Sequence, residues 1–420
     1  MMMTTAVVPP ALRQKIRRNT TLPRTLIGLA VILALFSLVR AITDANDLTS
    51  PGTVGATLRL AVPIGMAGLG GLWAERAGVV NIGLEGMMIL GTWFGAWAGY
   101  QWGPWWGVLA GILGGAIGGA LHATVTVIFG VDHIVSGVAI NILASGVTRY
   151  LSAIAFVGVP GGGITQSPGV DNIKTVTLGG VSDWLTTLSK HHWFFISDLA
   201  GILAGLTTQV SLLTILAIVL VPMSYVILWR TAFGLRLRSV GESPIAAESL
   251  GVNVYRMKFI AVVVSGGLAG LGGAFLSEVA SGIYREGQTN GRGYIGLAAM
   301  IFGNWRPGGL AAGAGLFGFT DALQLRSGGT SVHALLLLIA ILLVLFAVYS
   351  WVRHGERGVA ITSVGIAVAA LVWYALSDTV PQEFVLFTPH ITTLLVLALA
   401  SQRLRPPAAD GQSYRRGQGG

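Results

Sequence analysis

The sequence predicts an all-α membrane protein, a polytopic bundle of transmembrane helices with about 10–12 spans. Of its 420 residues 53% are hydrophobic and 10% are charged, whereas a soluble domain carries about 25% charge. The apolar residues form blocks of roughly 18 or more, the length that crosses a bilayer core about 30 Å thick. The alternating strands of about ten residues that an outer-membrane barrel needs are absent from the sequence. Composition therefore excludes a soluble domain and a disordered chain.

Each apolar block is a candidate span. The blocks lie near 25–42, 54–73, 84–100, 105–128, 134–155, 211–229, 258–279, 293–304, 309–326, 333–350, 359–376 and 387–401. The block at 293–304 is short. Together they predict one transmembrane domain over residues 25–401, between a basic N-terminus at 1–24 and a tail at 402–420.

Charge predicts the orientation of these spans. If the basic N-terminus is cytoplasmic, most of the 26 basic residues fall in segments on the same side. Lys and Arg favour the cytoplasmic side of a membrane. Both termini and a loop at 230–257 are thus expected inside, and a Gly-, Thr- and Ser-rich loop at 156–195 outside. The net charge of +9 is explained by orientation, so we predict no nucleic-acid partner.

The residues for metal and thiol chemistry are sparse. The chain has no cysteine, which excludes a disulfide framework and a thiolate site. Asp132 and His133 are adjacent, but no further ligands accompany them. We predict no metal and no cofactor. The basic N-terminal stretch precedes an apolar run without a cleavage site, so we expect a retained first span and not a signal peptide.

Two blocks of sequence recur in the same order. Residues 67–71 read AGLGG and so do residues 269–273; IGLEGMM at 82–88 is echoed by IGLAAM at 295–300. Both copies then reach Gly-x-Trp. In the expected orientation the two AGLGG helices run in opposite directions, which predicts an inverted-topology repeat, a common plan of transport proteins.

The longest inside loop, 230–257, contains signals for a short helix. Ser243 suits an N-cap and Pro244 the first helical position. Gly251 suits the left-handed residue after a helix end. A helix of about two turns is marginal alone in water. It must therefore pack on its own transmembrane domain or dock into a cytosolic partner, and the pattern leaves both open.

The loop also carries a resemblance. GLRLRSVGESPIAAESLGVNV, starting at Gly234, resembles the coupling loop of bacterial ABC importer permeases in the branch of ribose, branched-chain amino acid and nucleoside permeases. Four further segments are similar to motifs of its nucleoside and simple-sugar members: 75–88, 132–141, 291–303 and 317–324. The resemblance covers roughly 55–330 and the last span. The departure is an extra hairpin at about 350–386.

The resemblance implies a permease subunit of an ATP-driven ABC importer in the bacterial cell membrane, forming the translocation pathway for nucleosides or simple sugars. It also implies three partners: a cytosolic ATPase, a second permease subunit related to this one, and an extracytoplasmic substrate-binding lipoprotein. The residues agree in part. No lysine follows a glycine, so a P-loop is missing. We therefore predict a transport subunit and not an enzyme, with ATP hydrolysed by a separate chain.

Two sets of residues are candidates for function. The resemblance assigns ATPase coupling to Glu242, Ser243, Pro244, Ala246, Ala247, Glu248 and Gly251. Polar residues at membrane depth are costly and are functional candidates by default, which selects Asn81, Glu85, Ser136, Asn141, Asp321 and Gln324 for the substrate pathway. Asn can donate to and accept from a ribose hydroxyl or a base edge, but hydrogen bonds between helices are the rival role. For Glu85 we expect a structural ion pair with Arg76 or Arg149.

Two other classes of function are alternatives. A secondary active transporter of a small polar solute also uses inverted repeats, with Glu85, Glu278 or Asp321 as ion or proton sites; the coupling motif argues against it. A membrane enzyme would need clustered catalytic groups, which the sequence lacks. The choice between nucleoside and sugar, and between pairing with itself or with a related permease, stays open.

Overall fold

The computed structural model describes residues 21–326, 328–385, 387, 391, 404–415 and 417. Its helices are α1 Thr21–Thr43, α2 Pro51–Arg76, α3 Leu84–Trp102, α4 Pro104–Ala123, α5 His133–Ala155, α6 Val181–Ser189, α7 Ile196–Thr207, α8 Leu212–Arg230, α9 Ala232–Glu242, α10 Pro244–Ser249, α11 Val254–Phe275, α12 Arg292–Phe302, α13 Pro307–Arg326, α14 Gly328–His354, α15 Arg357–Leu376 and α16 Gln382–Val385. α4 and α11 continue as π-helical turns, Thr124–Ile128 and Leu276–Ser281. Strands β1 (Thr175–Val176) and β2 (Val210–Ser211) pair antiparallel.

Eight of the described helices are long and apolar enough to cross a membrane. They are α1, α2, α4, α5, α8, α11, α14 and α15. The predicted spans at α3 and α13 fall outside this group because glycine, tryptophan and polar residues lower their hydropathy. The predicted all-α polytopic bundle is confirmed. Most of the predicted last span, 387–401, and of the N-terminal segment, 1–24, lies outside the described residues.

The two AGLGG helices, α2 and α11, lie antiparallel at the centre of the bundle. A Cβ atom on Gly70 would lie 2.5 Å from the Ser265 carbonyl oxygen, and one on Gly272 would lie 2.9 Å from that of Pro63. The other repeat helices exchange partners: α3 and α4 pack on α11, whereas α12 and α13 pack on α2. Two repeats of opposite topology produce this exchange.

Glycine allows the repeats to approach this closely. A Cβ atom on Gly91 of α3 would lie 2.3 Å from the carbonyl oxygen of Gly270, and one on Gly115 of α4 would lie 2.3 Å from that of Gly266. Side chains at these positions would separate the helices. Close backbone approach through small residues is a general means of helix packing in membranes.

The segment between α5 and α8 forms a layer of its own. The predicted outside loop contains α6, and the polar stretch after it forms α7, which is 12 residues long. A buried ion pair joins this layer to α1, with Arg40 Nε 2.7 Å from Asp198 Oδ1. Asp198 also accepts a hydrogen bond from the Thr49 hydroxyl.

Candidate translocation wall

The second repeat contains a half-helix. α12 has 11 residues, which span about 16 Å, roughly half of a bilayer core. The Glu85 carboxylate, at the start of α3, caps the N-terminus of α12. It accepts hydrogen bonds from the backbone N–H groups of Gly291 (2.9 Å) and Gly293 (2.7 Å). A carboxylate at a helix N-terminus satisfies orphan donors and interacts favourably with the helix dipole.

This geometry corrects the expected ion pair of Glu85. Neither expected arginine pairs with it. Arg76 lies 3.8 Å from Glu242, and Arg149 lies 3.4 Å from Glu286. Glu85 is buried and bonds to backbone donors of the opposite repeat instead. The expectation of a structural role for Glu85 agrees with these contacts, although the partners are different.

Asn141 of α5 caps the start of α3. Its Oδ1 accepts from the Gly86 N–H at 2.7 Å, and its Nδ2 donates to the Ile82 carbonyl at 3.1 Å. Nδ2 also lies 2.8 Å from the hydroxyl of Tyr294 on α12. The single amide therefore joins α5, α3 and the half-helix. Asn141 is half-buried, so its side chain packs between helices and is also partly exposed at the surface.

A polar row continues from Asn141 along the outward face of α5. Ser145 and Arg149 follow at four-residue spacing, which places them on the same face. The Arg149 side chain is 64% exposed and pairs with Glu286 at 3.4 Å; Tyr294 is 46% exposed. A charged side chain is costly to expose to lipid at membrane depth. This surface, defined as the α5–α12 wall, is therefore a candidate to face water or another subunit.

The segment before α12 supplies further donors. Arg292 Nη1 donates to the carbonyls of Gln288 (3.2 Å) and Thr289 (3.3 Å). Among the described residues, the buried Nε of Arg292 and Nε2 of Gln288 have no hydrogen-bond partner. These two residues were not among the predicted pathway residues. The run REGQTNGRG between two apolar helices was the signal, since irregular backbone at membrane depth is tolerated only inside protein or beside water.

Two candidate pathway residues lie in the interior. Asn81 is fully buried and its Nδ2 donates to the hydroxyl of Ser265 on α11 at 2.9 Å. Ser136 is buried, with its hydroxyl 2.9 Å from Nδ1 of His122 on α4. Of the two roles left open by the sequence, these contacts favour hydrogen bonds between helices.

Asp321 and Gln324 are placed elsewhere. Both lie near the end of α13, which packs on α2, α12 and α14. In this region a Cβ atom on Gly318 would lie 2.7 Å from Ala61 of α2. The structure does not group these two residues with Asn141 on the wall.

The coupling segment is helical, as predicted. α10 begins at Pro244, and Gly251 has the expected positive φ of 81°. Ser243 is the N-cap residue, as predicted, although its side chain makes no capping hydrogen bond. Its carbonyl accepts the first helical hydrogen bond, from the Ala247 N–H at 3.0 Å.

The two faces of α10 differ in burial. Ala247 is buried in an apolar cluster with Val240 and Val254, and Tyr414 packs against this cluster. Ile245 and Leu250 point outward and are 49% and 84% exposed. The expected contact of Ala247 with a partner groove does not fit its burial on its own chain. The other coupling residues are placed as follows: Glu242, Ala246 and Ser243 are exposed and Glu248 is half-buried.

Comparison with known proteins identifies the family. The family model described as branched-chain amino acid transport system / permease component matches residues 53–348. The chain belongs to this family. It is therefore a multi-pass membrane permease subunit of an ABC transporter, a transport component and not an enzyme. The family implies an ATPase and a substrate-binding protein as partners.

Three relatives are similar along most of their length. A guanosine ABC transporter permease protein of Bacillus subtilis is 34% identical over 87% of this chain and 96% of its own. A nucleoside ABC transporter permease protein of Lactococcus lactis is 32% identical over 86% and 96%. A permease protein of Haloferax volcanii, whose name assigns it provisionally to glucose, is 32% identical over 67% and 79%. No solved structure matches this chain.

Proposed function

We propose that this permease imports nucleosides across a bacterial cell membrane and that the α5–α12 wall lines the route. The observation that carries the proposal is the polar row of Asn141, Ser145, Arg149 and Tyr294, open to the surface on helices at membrane depth. Such polar surface is costly unless it meets water, substrate or another subunit. The relatives named for guanosine and nucleosides cover nearly the full length of this chain.

The chemistry of the wall suits an uncharged, hydroxyl-rich solute. The carboxylate of Glu286 offsets the charge of Arg149, so the wall selects for neither anions nor cations. Amide, hydroxyl and phenol groups can donate to and accept from ribose hydroxyls and base edges. The Tyr294 ring adds a surface on which a base can stack. A simple sugar would use the hydroxyl partners but not the ring, which favours a nucleoside.

Energy coupling is assigned to α10 and its neighbours. We propose that Ile245, Ala246 and Leu250 form the face that docks into a cytosolic ATPase. Ile245 and Ala246 are exposed on α10 and Leu250 directly after it, and the helix is too short to stand alone. Ala247 instead anchors the helix to its own chain. Gly251, at positive φ, sets the helix end. This role requires α9 and α10, and both chain termini, to be cytoplasmic.

The remaining partners follow from the surfaces left open. A second permease, related to this one but encoded separately, is proposed to cover the apolar residues around the wall, such as Ile142 and Ile154, which are strongly exposed in the single chain. A substrate-binding lipoprotein is proposed to deliver solute to the layer of α6 and α7 on the opposite side from α10.

The test is uptake of labelled guanosine by vesicles containing the permease with its ATPase, binding protein and second permease. We expect uptake that survives ionophores and stops on ATP depletion. Tyr294→Leu should weaken uptake, whereas Leu143→Val, at a similarly exposed position on α5, should serve as the control. Uptake abolished by ionophores at constant ATP would indicate a secondary transporter. Glucose uptake unaffected by excess guanosine would contradict the nucleoside assignment.

A further inference from the structure

The tail at residues 404–415 lies on the side of the bundle that carries α9 and α10. It bonds directly to the end of α9. The Ala409 N–H donates to the Gly241 carbonyl at 2.9 Å, and the Ala408 N–H donates to Glu242 Oε2 at 3.2 Å. These bonds hold the tail to the residues immediately before the coupling helix.

The same tail contacts both repeats. Its Arg405 N–H donates to Oδ1 of Asn304, which follows α12, at 2.8 Å. The buried ammonium of Lys258 on α11 reaches the Gln412 carbonyl at 3.4 Å and the Gly78 carbonyl, after α2, at 3.3 Å. The tail therefore bridges the ends of α2, α11 and α12, which belong to opposite halves.

Tyr414 extends the contact to the apolar cluster that includes Ala247 of the coupling helix. Its ring centroid lies 5.4 Å from that of Tyr255. It packs in the apolar cluster that buries Ala247 against Val240 and Val254. Because Ala247 is the buried residue of α10, the tail forms part of the surface against which α10 packs.

These contacts supply what α10 lacks. A helix of six residues does not hold its own conformation or direction in water. Its outward residues Ile245 and Leu250 can meet a partner only if the inward side is fixed. The contacts that fix it come from α9, from the start of α11 and from the tail.

Resting on the coupling role proposed above, we propose that residues 404–415 are a positioning segment of the ATPase-docking surface, which hold α10 in the orientation that the ATPase engages. In this arrangement the tail links the movement of both repeats to the coupling helix. The segment touches neither substrate nor nucleotide. It acts through α10.

The test uses two variants of the full chain in the assembled importer. Tyr414→Ala removes the ring under α10, and Ala409→Pro removes the N–H that bonds to Gly241. Ser413→Ala, at an exposed position between them, is the matched control, and Tyr414→Phe should rescue because it retains the ring. We expect uptake and substrate-stimulated ATP hydrolysis to fall about fivefold or more, the lower range of typical coupling between sites.

A second readout separates positioning from folding. A cysteine placed at Ser249, which is exposed on α10 outside the proposed docking face, in this cysteine-free chain should cross-link to the ATPase in the parent and lose that cross-link in both variants. Membrane insertion and pairing with the second permease should not change. If both variants retain the cross-link and full uptake, the tail is a passive cover and the inference is wrong. Loss of permease pairing would also overturn it, because the tail would then be a folding element.

The parent chain distinguishes this inference from the function on which it rests. If the parent with cysteine at 249 neither co-purifies with nor cross-links to the ATPase, the assignment of α10 as the coupling helix fails first. If the parent cross-links and only the tail variants lose the cross-link, the coupling assignment stands and the loss reports the effect of the tail alone.

Discussion

The helices that follow the two AGLGG segments begin in different ways. α3 has 19 residues and α12 has 11. The neutral amide of Asn141 caps α3, whereas the carboxylate of Glu85 caps α12. The shorter helix begins inside the bundle, where water cannot satisfy its N–H groups. The two repeats thus satisfy the N–H groups at a helix start with different side chains, and both sets of contacts lie beside the α5–α12 wall.

The largest effect is expected from removing the carboxylate. Glu85→Ala leaves the N–H groups of Gly291 and Gly293 without their acceptor, at about 1–3 kcal/mol for each buried group. We expect a large loss of thermal stability in detergent, with uptake lost as well. Glu85→Gln retains one acceptor oxygen and should lose about half as much. A Glu85→Ala chain as stable as the parent would show that α12 does not depend on this cap.

Overpacking between the repeats should come next. Gly91→Ala places a Cβ atom 2.3 Å from the Gly270 carbonyl oxygen, and overpacking of this kind costs about 1–3 kcal/mol. Gly365→Ala on α15 is the control, because nothing lies within 4 Å of its Cβ position. Thermal unfolding of the two variants measures the difference. Equal stability would indicate that the repeats are more loosely packed than described.

A smaller effect on stability, and a larger one on transport, is expected at Asn141. Asn141→Leu removes the acceptor of the Gly86 N–H and the donor to Tyr294. The loss of a helix–helix hydrogen bond in a membrane averages about 0.6 kcal/mol. Uptake should fall in a complex that still assembles with its ATPase. Unchanged uptake would remove Asn141 from the wall's function and leave it only the cap of α3.

The smallest effect is expected from a change of pH. It concerns Asp410 of the tail, whose carboxyl group faces residues of both repeats. Burial raises the pKa of Asp410 to about 6, and Lys258 of the second repeat opposes this shift. Glu75 and Arg76 of the first repeat also face the group. A raised pKa favours the protonated form in the docked tail, so docking is strongest below the ordinary pKa of about 3.9 and weakens as pH rises through about 6.

Asp410→Asn tests this pH dependence. The amide is uncharged at every pH, so protection of the tail from proteolysis should depend less on pH than in the parent between 5 and 8, roughly the range in which the carboxyl titrates. The parent should be better protected at the acidic end. Equal pH profiles for the parent and the variant would assign the dependence to another group.

Local signals in the sequence predicted much of the fold, but contacts between residues far apart in the chain were not predicted. Apolar blocks gave α2, α5, α8 and α11 within a few residues, because bilayer thickness fixes their length. Pro244 and Gly251 marked both ends of α10 for equally local reasons. The partner of Glu85 lies 206 residues away in the chain, and no local pattern encodes such a contact. For the same reason, the contact of Tyr414 with the cluster around Ala247 was not predicted.

The candidate site shows the same division. Asn141 could be selected because a polar residue stood in an apolar helix. Asn81 satisfied the same rule, yet it bonds to Ser265 in the interior, since sequence periodicity does not say which neighbour a helix face meets. Arg149, Glu286 and Tyr294 belong to the wall because the 282–291 segment folds back beside α5, which is a tertiary fact.

The most direct test of the α5–α12 wall is substrate protection at Ser145. The chain has no cysteine, so Ser145→Cys and, on the exposed face of α15, Ile361→Cys can be labelled singly with a water-soluble thiol reagent in the assembled importer. We expect that position 145 is labelled, that labelling blocks uptake, and that guanosine with ATP slows the reaction, while position 361 shows none of these effects. Labelling at 145 that guanosine does not change, with uptake intact, would show that the α5–α12 wall does not line the route.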